Sequence, residues 1–89
     1  MTHTILRLPA VLQLRGRSRS SHYRDIRHGL FTQPVHIGFQ SVGWPLAEVS
    51  TINAARIAGK TEAEVRDLVI KLESVRQTAF HLEASDDFQ

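Results

Sequence analysis

The chain has 89 residues, no cysteine, 42% hydrophobic residues and a formal net charge of +2. This length suits one small domain with a modest core, and the absence of cysteine excludes disulfides and thiolate zinc sites. No segment approaches the roughly 18 apolar residues of a membrane span, and the N-terminus lacks the apolar run of a signal peptide. We therefore expect a cytoplasmic protein that makes no membrane contact.

Charge is distributed unevenly along the chain. Residues 1–31 contain six arginines and one acid, Asp25, for a net charge of +5. Residues 60–89 contain four cations and seven carboxylates, for a net charge of −3. A basic segment of this kind favours a polyanionic partner, and the acidic segment should face away from that partner or contact the chain's own basic surface.

The first predicted helix covers residues 6–14. Pro9 suits the first helical position, because its fixed φ is compatible with a helix and its missing N–H would have no partner there. The apolar face contains Leu8, Val11, Leu12 and Leu14. Gly16 is expected to end this segment, since glycine adopts the left-handed conformation found at helix ends.

The second predicted helix runs from Arg19 to His28 and is rich in arginine and serine. Ser18 is the expected N-cap and Gly29 the expected stop. On a helical wheel, Ser20, Arg24 and Arg27 share one side with Tyr23 at its edge, and His22, Asp25 and Ile26 lie opposite. Two helices joined by a short glycine turn predict a helix-turn-helix, in which this polar side would contact phosphates and base edges.

The next segment, Pro34 to Trp44, predicts a two-stranded hairpin with its turn near residues 38–41. Beside a helix-turn-helix, such a hairpin forms a wing that reaches flanking DNA. The tip has no cation, so Gln40 would contribute shape and polar contact rather than charge. Trp44 is expected to lie in the core.

Two further helices complete the prediction. The first begins at Pro45, directs Leu46, Val49, Ile52 or Asn53, and Ile57 inward, and stops at Gly59. The second begins at a capping box, Thr61 to Glu64, and continues to about Leu82. Its apolar stripe consists of Val65, Leu68, Leu72, Val75, Ala79 and Leu82, widened by Val69 and Ile70. This stripe either packs back on the domain or pairs with a second copy.

The predicted organisation is a winged helix-turn-helix over residues 1–59, a C-terminal amphipathic helix over residues 60–83 and a flexible tail over residues 84–89. The fold class is mainly α with a small β-hairpin. The five histidines show no metal-ligand spacing, and no catalytic constellation is present. We therefore expect no enzymatic activity, no metal and no cofactor.

Short motifs occur in a characteristic order along residues 5–59. They are Leu6-Arg7-Leu8-Pro9, Ser18-Arg19-Ser20, Tyr23-Arg24, Ile26-Arg27, Pro34-Val35 and Val42-Gly43-Trp44. This order resembles the AlpA family of prophage and genomic-island regulators, which are small winged helix-turn-helix DNA binders related to MerR-type domains and excisionases. The chain differs from the family pattern at Arg17, His22 and Asp25, where an apolar residue is usual, and at Gln40, where a basic residue is usual.

The resemblance implies a transcriptional regulator or an excisionase-type recombination directionality factor that binds double-stranded DNA. The expected DNA-binding residues are Arg17, Arg19, Ser20, Ser21, Tyr23, Arg24, Arg27 and Gln40. Arg7 and Arg15 are expected to add phosphate contacts that do not depend on sequence. If the apolar stripe pairs with a second copy instead of packing on the domain, a homodimer or DNA-assembled oligomer would form through Val65, Leu68, Leu72 and Val75. The alternative is a protein-interaction module that binds a recombinase or regulator through the C-terminal helix.

Overall fold

The computed structural model describes the backbone of residues 3–87 and the side chains of residues 3–78 and 80. The described chain is mainly helical, with one small antiparallel sheet. The elements in chain order are β1 (Ile5–Leu6), α1 (Leu8–Arg15), α2 (Arg19–Arg27), β2 (Val35–Gly38), β3 (Ser41–Pro45), α3 (Leu46–Ile57) and α4 (Glu62–Asp87). The predicted winged helix-turn-helix with a long C-terminal helix is confirmed.

The helix-turn-helix forms where its capping residues predict it. Gly16 has φ 66° and ends α1 in the left-handed conformation. Ser18 caps α2 by accepting a hydrogen bond from the backbone N–H of Ser21 at 3.2 Å. The predicted bounds shift slightly: α1 begins at Leu8 rather than residue 6, and α2 ends at Arg27, one residue early.

The sheet has three strands instead of the predicted two. Strand β1 pairs antiparallel with β3, so that Ile5 faces Pro45 and Leu6 faces Trp44. Gly43 permits this close approach, because a Cβ at that position would lie 2.6 Å from the Ile5 Cγ2 atom and 2.8 Å from the Leu6 carbonyl oxygen. Residues 5 and 6 therefore belong to the sheet, and the assignment of Leu6 to the first helix was wrong.

Strands β2 and β3 form the predicted wing. His36 faces Val42 and Gly38 faces Ser41, with a register irregularity between His36 and Gly38. The connecting turn contains Gln40, whose φ of 57° is the one positive value among the described residues other than glycine. The side chain of Gln40 is exposed, as expected for a wing tip.

One hydrophobic core joins the helices and the sheet. Trp44 is fully buried, as predicted, and its indole N–H donates to the carbonyl oxygen of Thr32 at 2.9 Å. Val49 and Ile52 point inward from α3, but Leu46 is 37% exposed and Ile57 is 87% exposed, so the predicted inward positions of these two residues were wrong. The other buried apolar residues are Val11, Ile26, Leu30, Phe31, Val65 and Val69.

The first half of α4 packs on this core. The capping box is confirmed: the Thr61 hydroxyl accepts from the Glu64 N–H, and the Glu64 carboxylate accepts from the Thr61 N–H. Val65 and Val69 are buried, and Leu68 and Leu72 are partly buried against the core. The helix continues through Asp87, beyond the predicted end near Leu82 and into the segment predicted as a tail. The last two residues of that predicted tail, 88 and 89, lie outside the described residues. Ala79 and Leu82 lie outside the described side chains.

A polar contact also fastens α4 to the rest of the chain. Arg76 donates two hydrogen bonds to the Glu48 carboxylate, at 2.7 and 2.8 Å, and a third to the Gln33 carbonyl oxygen at 2.7 Å. Glu73 accepts from the Gln33 N–H at 2.8 Å. The acidic C-terminal helix therefore holds the segment that leads into the wing. Within residues 3–87, no helix combines the length and the apolar character needed to cross a membrane.

Candidate nucleic-acid interface

Helix α2 presents a basic face to solvent. We call Arg19, Ser20, Arg24 and Arg27 the recognition face, since all four side chains are exposed. Arg24 and Arg27 have no ion-pair partner among the described residues. The guanidinium of Arg19 lies 6.0 Å from the ring centre of Tyr23. This face carries three cations without a neutralising carboxylate and is suited to an anionic surface.

The opposite face of α2 is buried, as the helical wheel predicts, but it is unusually polar. His22, Asp25 and Ile26 are the buried residues of this helix. Arg15 is the partner of both polar residues, because its guanidinium donates hydrogen bonds to the His22 Nδ1 atom and to the Asp25 Oδ2 atom, each at 2.8 Å. The His22 Nε2 atom and the Arg15 Nε atom are buried without a hydrogen-bond partner. We call Arg15, His22 and Asp25 the buried polar network.

Arg15 was expected to contact DNA phosphate, and this expectation was wrong. Its side chain is 1% exposed and lies under α2, with the guanidinium 4.0 Å from the ring centre of Phe31. Burial lowers the pKa of Arg15, although Asp25 acts in the opposite direction. Arg15 holds α2 against α1 and the core. Because it binds the buried face of α2, it fixes the orientation of the recognition face on the opposite side.

His22 is the titratable centre of the buried polar network. Its ring is fully buried, with edge contacts to Phe31 and Trp44 at centroid distances of 5.0 and 4.8 Å. Burial, assisted by the nearby Arg15 charge, lowers the pKa of His22 to about 4. The neutral ring accepts the Arg15 hydrogen bond at Nδ1, which a protonated ring could not do.

This shift predicts a loss of stability in mild acid. The ordinary His22 pKa of 6.5 applies to the unfolded chain, which therefore binds more protons than the folded chain between pH 6.5 and 4. We expect the free energy of unfolding to fall by about 2 kcal/mol between pH 7 and pH 5. Urea unfolding at both pH values tests this. In His22→Gln the pH-dependent loss should largely disappear, whereas it should persist in the exposed-site control His36→Gln; an equal loss in all three proteins would contradict the assignment.

Three other predicted DNA-binding residues are less available than the recognition face. Arg17 turns toward Asp25, with 3.5 Å between its Nε atom and the Asp25 Oδ2 atom, although 32% of its side chain remains exposed. Ser21 is half-buried, and its hydroxyl accepts a hydrogen bond from Ser18. Tyr23 is half-buried against Trp44, at 6.4 Å between ring centres.

Gln40 lies in the wing and not on α2. The predicted residues therefore form two surfaces, a recognition face on α2 and a separate neutral wing tip. The sequence prediction missed Arg56, which approaches Asp25 from α3 at 3.8 Å. No local pattern could reveal this contact, because the two residues are far apart in sequence. Among the residues with described side chains, no group of three or more His, Asp or Glu could hold a metal ion.

Comparison with known proteins gives one family and one relative. Residues 4–57 match the family model described as "Prophage CP4-57 regulatory protein (AlpA)". The uncharacterized protein ORF88 of Enterobacteria phage P4 is 46% identical over 55 residues, a match that covers 62% of this chain and 62% of the phage protein. No solved structure matches the chain. The matched region contains β1, the helix-turn-helix, the wing and α3, and the chain therefore belongs to the AlpA family of prophage regulatory proteins.

Proposed function

We propose that this chain is a sequence-specific DNA-binding regulator of a prophage or mobile element, and that α2 is its recognition helix. The observation that carries the proposal is the recognition face: exposed Arg19, Arg24 and Arg27 lie on the second helix of a winged helix-turn-helix, without a carboxylate to neutralise them. An α-helix fits the major groove of B-DNA, where arginine is the commonest reader of guanine.

Arg24 is the proposed base-reading residue. It lies in the exposed middle of the recognition face, and its planar guanidinium matches the O6 and N7 acceptors of guanine. Arg19 and Arg27, nearer the helix ends, would bind phosphates and fix the position of α2 along the groove. Ser20 adds a hydroxyl on the same side. The wing, with Gln40 at its tip, would add polar contact outside the major groove.

Replacing Arg24 tests this assignment. Arg24→Ala should weaken binding to the native site by roughly 1–3 kcal/mol and should weaken binding to a scrambled duplex much less. Lys71→Ala is the matched control, because it removes an exposed cation from α4. Fluorescence anisotropy on both duplexes at fixed salt measures the two losses. Equal losses on both duplexes would show that Arg24 contacts phosphate and does not read a base.

The same DNA contact would serve two regulatory roles. A transcriptional regulator binds beside a promoter, and an excisionase-type factor binds within an attachment site. Nuclease footprinting on one DNA fragment that contains both regions distinguishes these roles by the position of protection. We propose binding in at least one of the two regions, and protection in neither would count against both roles.

The alternative function is the docking of a partner protein on α4. The apolar surface available for such docking is smaller than the apolar stripe in the sequence predicts, because part of the stripe is buried in the chain's own core. Val65 and Val69 lie in the chain's own core, and Leu68 and Leu72 pack against it. Val75, which is 55% exposed, is the exposed member of the proposed pairing set. The recognition face therefore carries the stronger functional assignment.

A further inference from the structure

Three arginines converge on one carboxylate oxygen behind the recognition face. The Asp25 Oδ2 atom lies 2.8 Å from Arg15 Nη2, 3.5 Å from Arg17 Nε and 3.8 Å from Arg56 Nη2. These arginines come from the end of α1, the turn and α3 respectively. One negative charge therefore faces three positive charges, and the cluster has a net charge of +2.

Arg15 and Asp25 neutralise each other inside the protein, and the surplus resides on the other two arginines. The Arg15 and Asp25 side chains are 1% and 7% exposed, whereas those of Arg17 and Arg56 are 32% and 33% exposed. The Nε and Nη2 atoms of Arg56 are buried and have no hydrogen-bond acceptor. Arg56 is thus held beside a carboxylate that already binds another arginine, and its donors remain unsatisfied.

The C-terminal ends of α1 and α3, at which the arginines around Asp25 lie, are held together by a hydrogen bond. The Asn53 side-chain amide donates to the Leu14 carbonyl oxygen at 3.0 Å, which ties α3 to the last turn of α1. Arg17 follows that turn directly, and Arg56 lies one turn beyond Asn53 on α3. The bond between α1 and α3 therefore keeps the guanidinium groups of Arg17 and Arg56 beside the Asp25 carboxylate.

We propose that Arg17 and Arg56 together bind a phosphodiester oxyanion of the DNA backbone, at a site that neither residue forms alone. This inference rests on the proposed function and adds Arg56 to the DNA-contacting residues. Asp25 is a positioning residue, since its charge holds two like-charged side chains together in the free protein. A bound oxyanion neutralises their surplus charge and offers Arg56 the acceptors that Asp25 does not supply, once its guanidinium turns outward.

Arg56→Gln tests the DNA contact. One lost phosphate contact should reduce the slope of log K against log salt by about 0.9 and weaken binding about fivefold at 0.15 M salt, on native and scrambled duplexes alike. Arg17→Gln should have a similar effect, and the double variant should lose little more than either single variant, because the site needs both residues. Lys71→Gln, which removes an exposed charge on α4, should leave the slope unchanged. Unchanged slopes in both single variants would overturn the proposal.

A second measurement, made without DNA, separates this proposal from the proposed function. Sodium sulfate is titrated at constant ionic strength, and the side-chain Nε–H signals of Arg17 and Arg56 are followed by NMR. Saturable shifts that are lost in Arg56→Gln support the oxyanion site even if the protein binds no DNA, in which case the ligand is a free oxyanion. The absence of saturable shifts, together with intact DNA binding by Arg56→Gln, overturns the site and leaves the recognition helix unaffected.

Discussion

Asp25→Ala should destabilise the domain by about 3–5 kcal/mol, one of the largest effects of any single substitution in this chain. Removing one partner of a buried ion pair leaves the other charge uncompensated. Here the remaining charge is that of Arg15, whose side chain is 1% exposed, and the repulsion from Arg17 and Arg56 adds to the cost. Urea unfolding at pH 7, followed by circular dichroism, measures the change.

Two further variants isolate the cause. Asp67→Ala removes an exposed carboxylate on α4 and should change stability by less than about 0.5 kcal/mol. The double variant Arg15→Met/Asp25→Leu replaces the pair with apolar groups and should be clearly more stable than Asp25→Ala alone. If Asp25→Ala unfolds within about 1 kcal/mol of the natural protein, the buried polar network does not hold α2 in place.

Truncation after Gly59 should abolish cooperative folding. The cut removes Val65 and Val69 from the core and takes away Leu68 and Leu72, which cover it. Full burial of a valine or leucine is worth about 1.5–3 kcal/mol, so the four side chains contribute on the order of 5 kcal/mol or more. That loss is comparable to the total stability of a small domain, about 5–15 kcal/mol. The fragment should show a collapsed amide spectrum by NMR and no sharp thermal transition.

A shorter truncation is the matched control. Ending the chain after Phe80 keeps Val65, Val69 and Arg76 with its bonds to Glu48, so cooperative unfolding should persist. A well-folded fragment of residues 1–59 would instead mean that α4 is a separate unit, as the predicted boundary at residue 60 implies.

Local signals in the sequence account well for the helices. Short-range contacts fix the helix ends as predicted. Ser18 and the Thr61–Glu64 box bind free backbone N–H groups at helix N-termini, and the left-handed conformations of Gly16 and Gly29 end helices. Strand β1 escaped prediction because two residues are too few to show alternation. Its pairing with β3 depends on the missing side chain of Gly43, which lies far along the chain.

The buried polar groups were the least predictable part of the molecule. The helical wheel places His22 and Asp25 inward, but it cannot identify their partner, because Arg15 lies on another helix. An arginine in a basic segment is expected to face solvent, and Arg15 does not. Likewise, 28 residues separate Arg76 from Glu48, and no local pattern links them. Whether a cation can contact DNA therefore depends on its pairing with residues distant in sequence, and not on the composition of the segment that contains it.

The most direct test of the central claim is a salt-titrated anisotropy measurement of the natural protein on the DNA that flanks its own gene, compared with a scrambled duplex. The recognition face predicts tighter binding to the native duplex and a steep, linear fall of log K with log salt on both. A slope of about −3 or steeper would match phosphate contacts from the exposed arginines. Equal, weak and salt-insensitive binding to both duplexes would contradict the assignment of α2 as a DNA recognition helix.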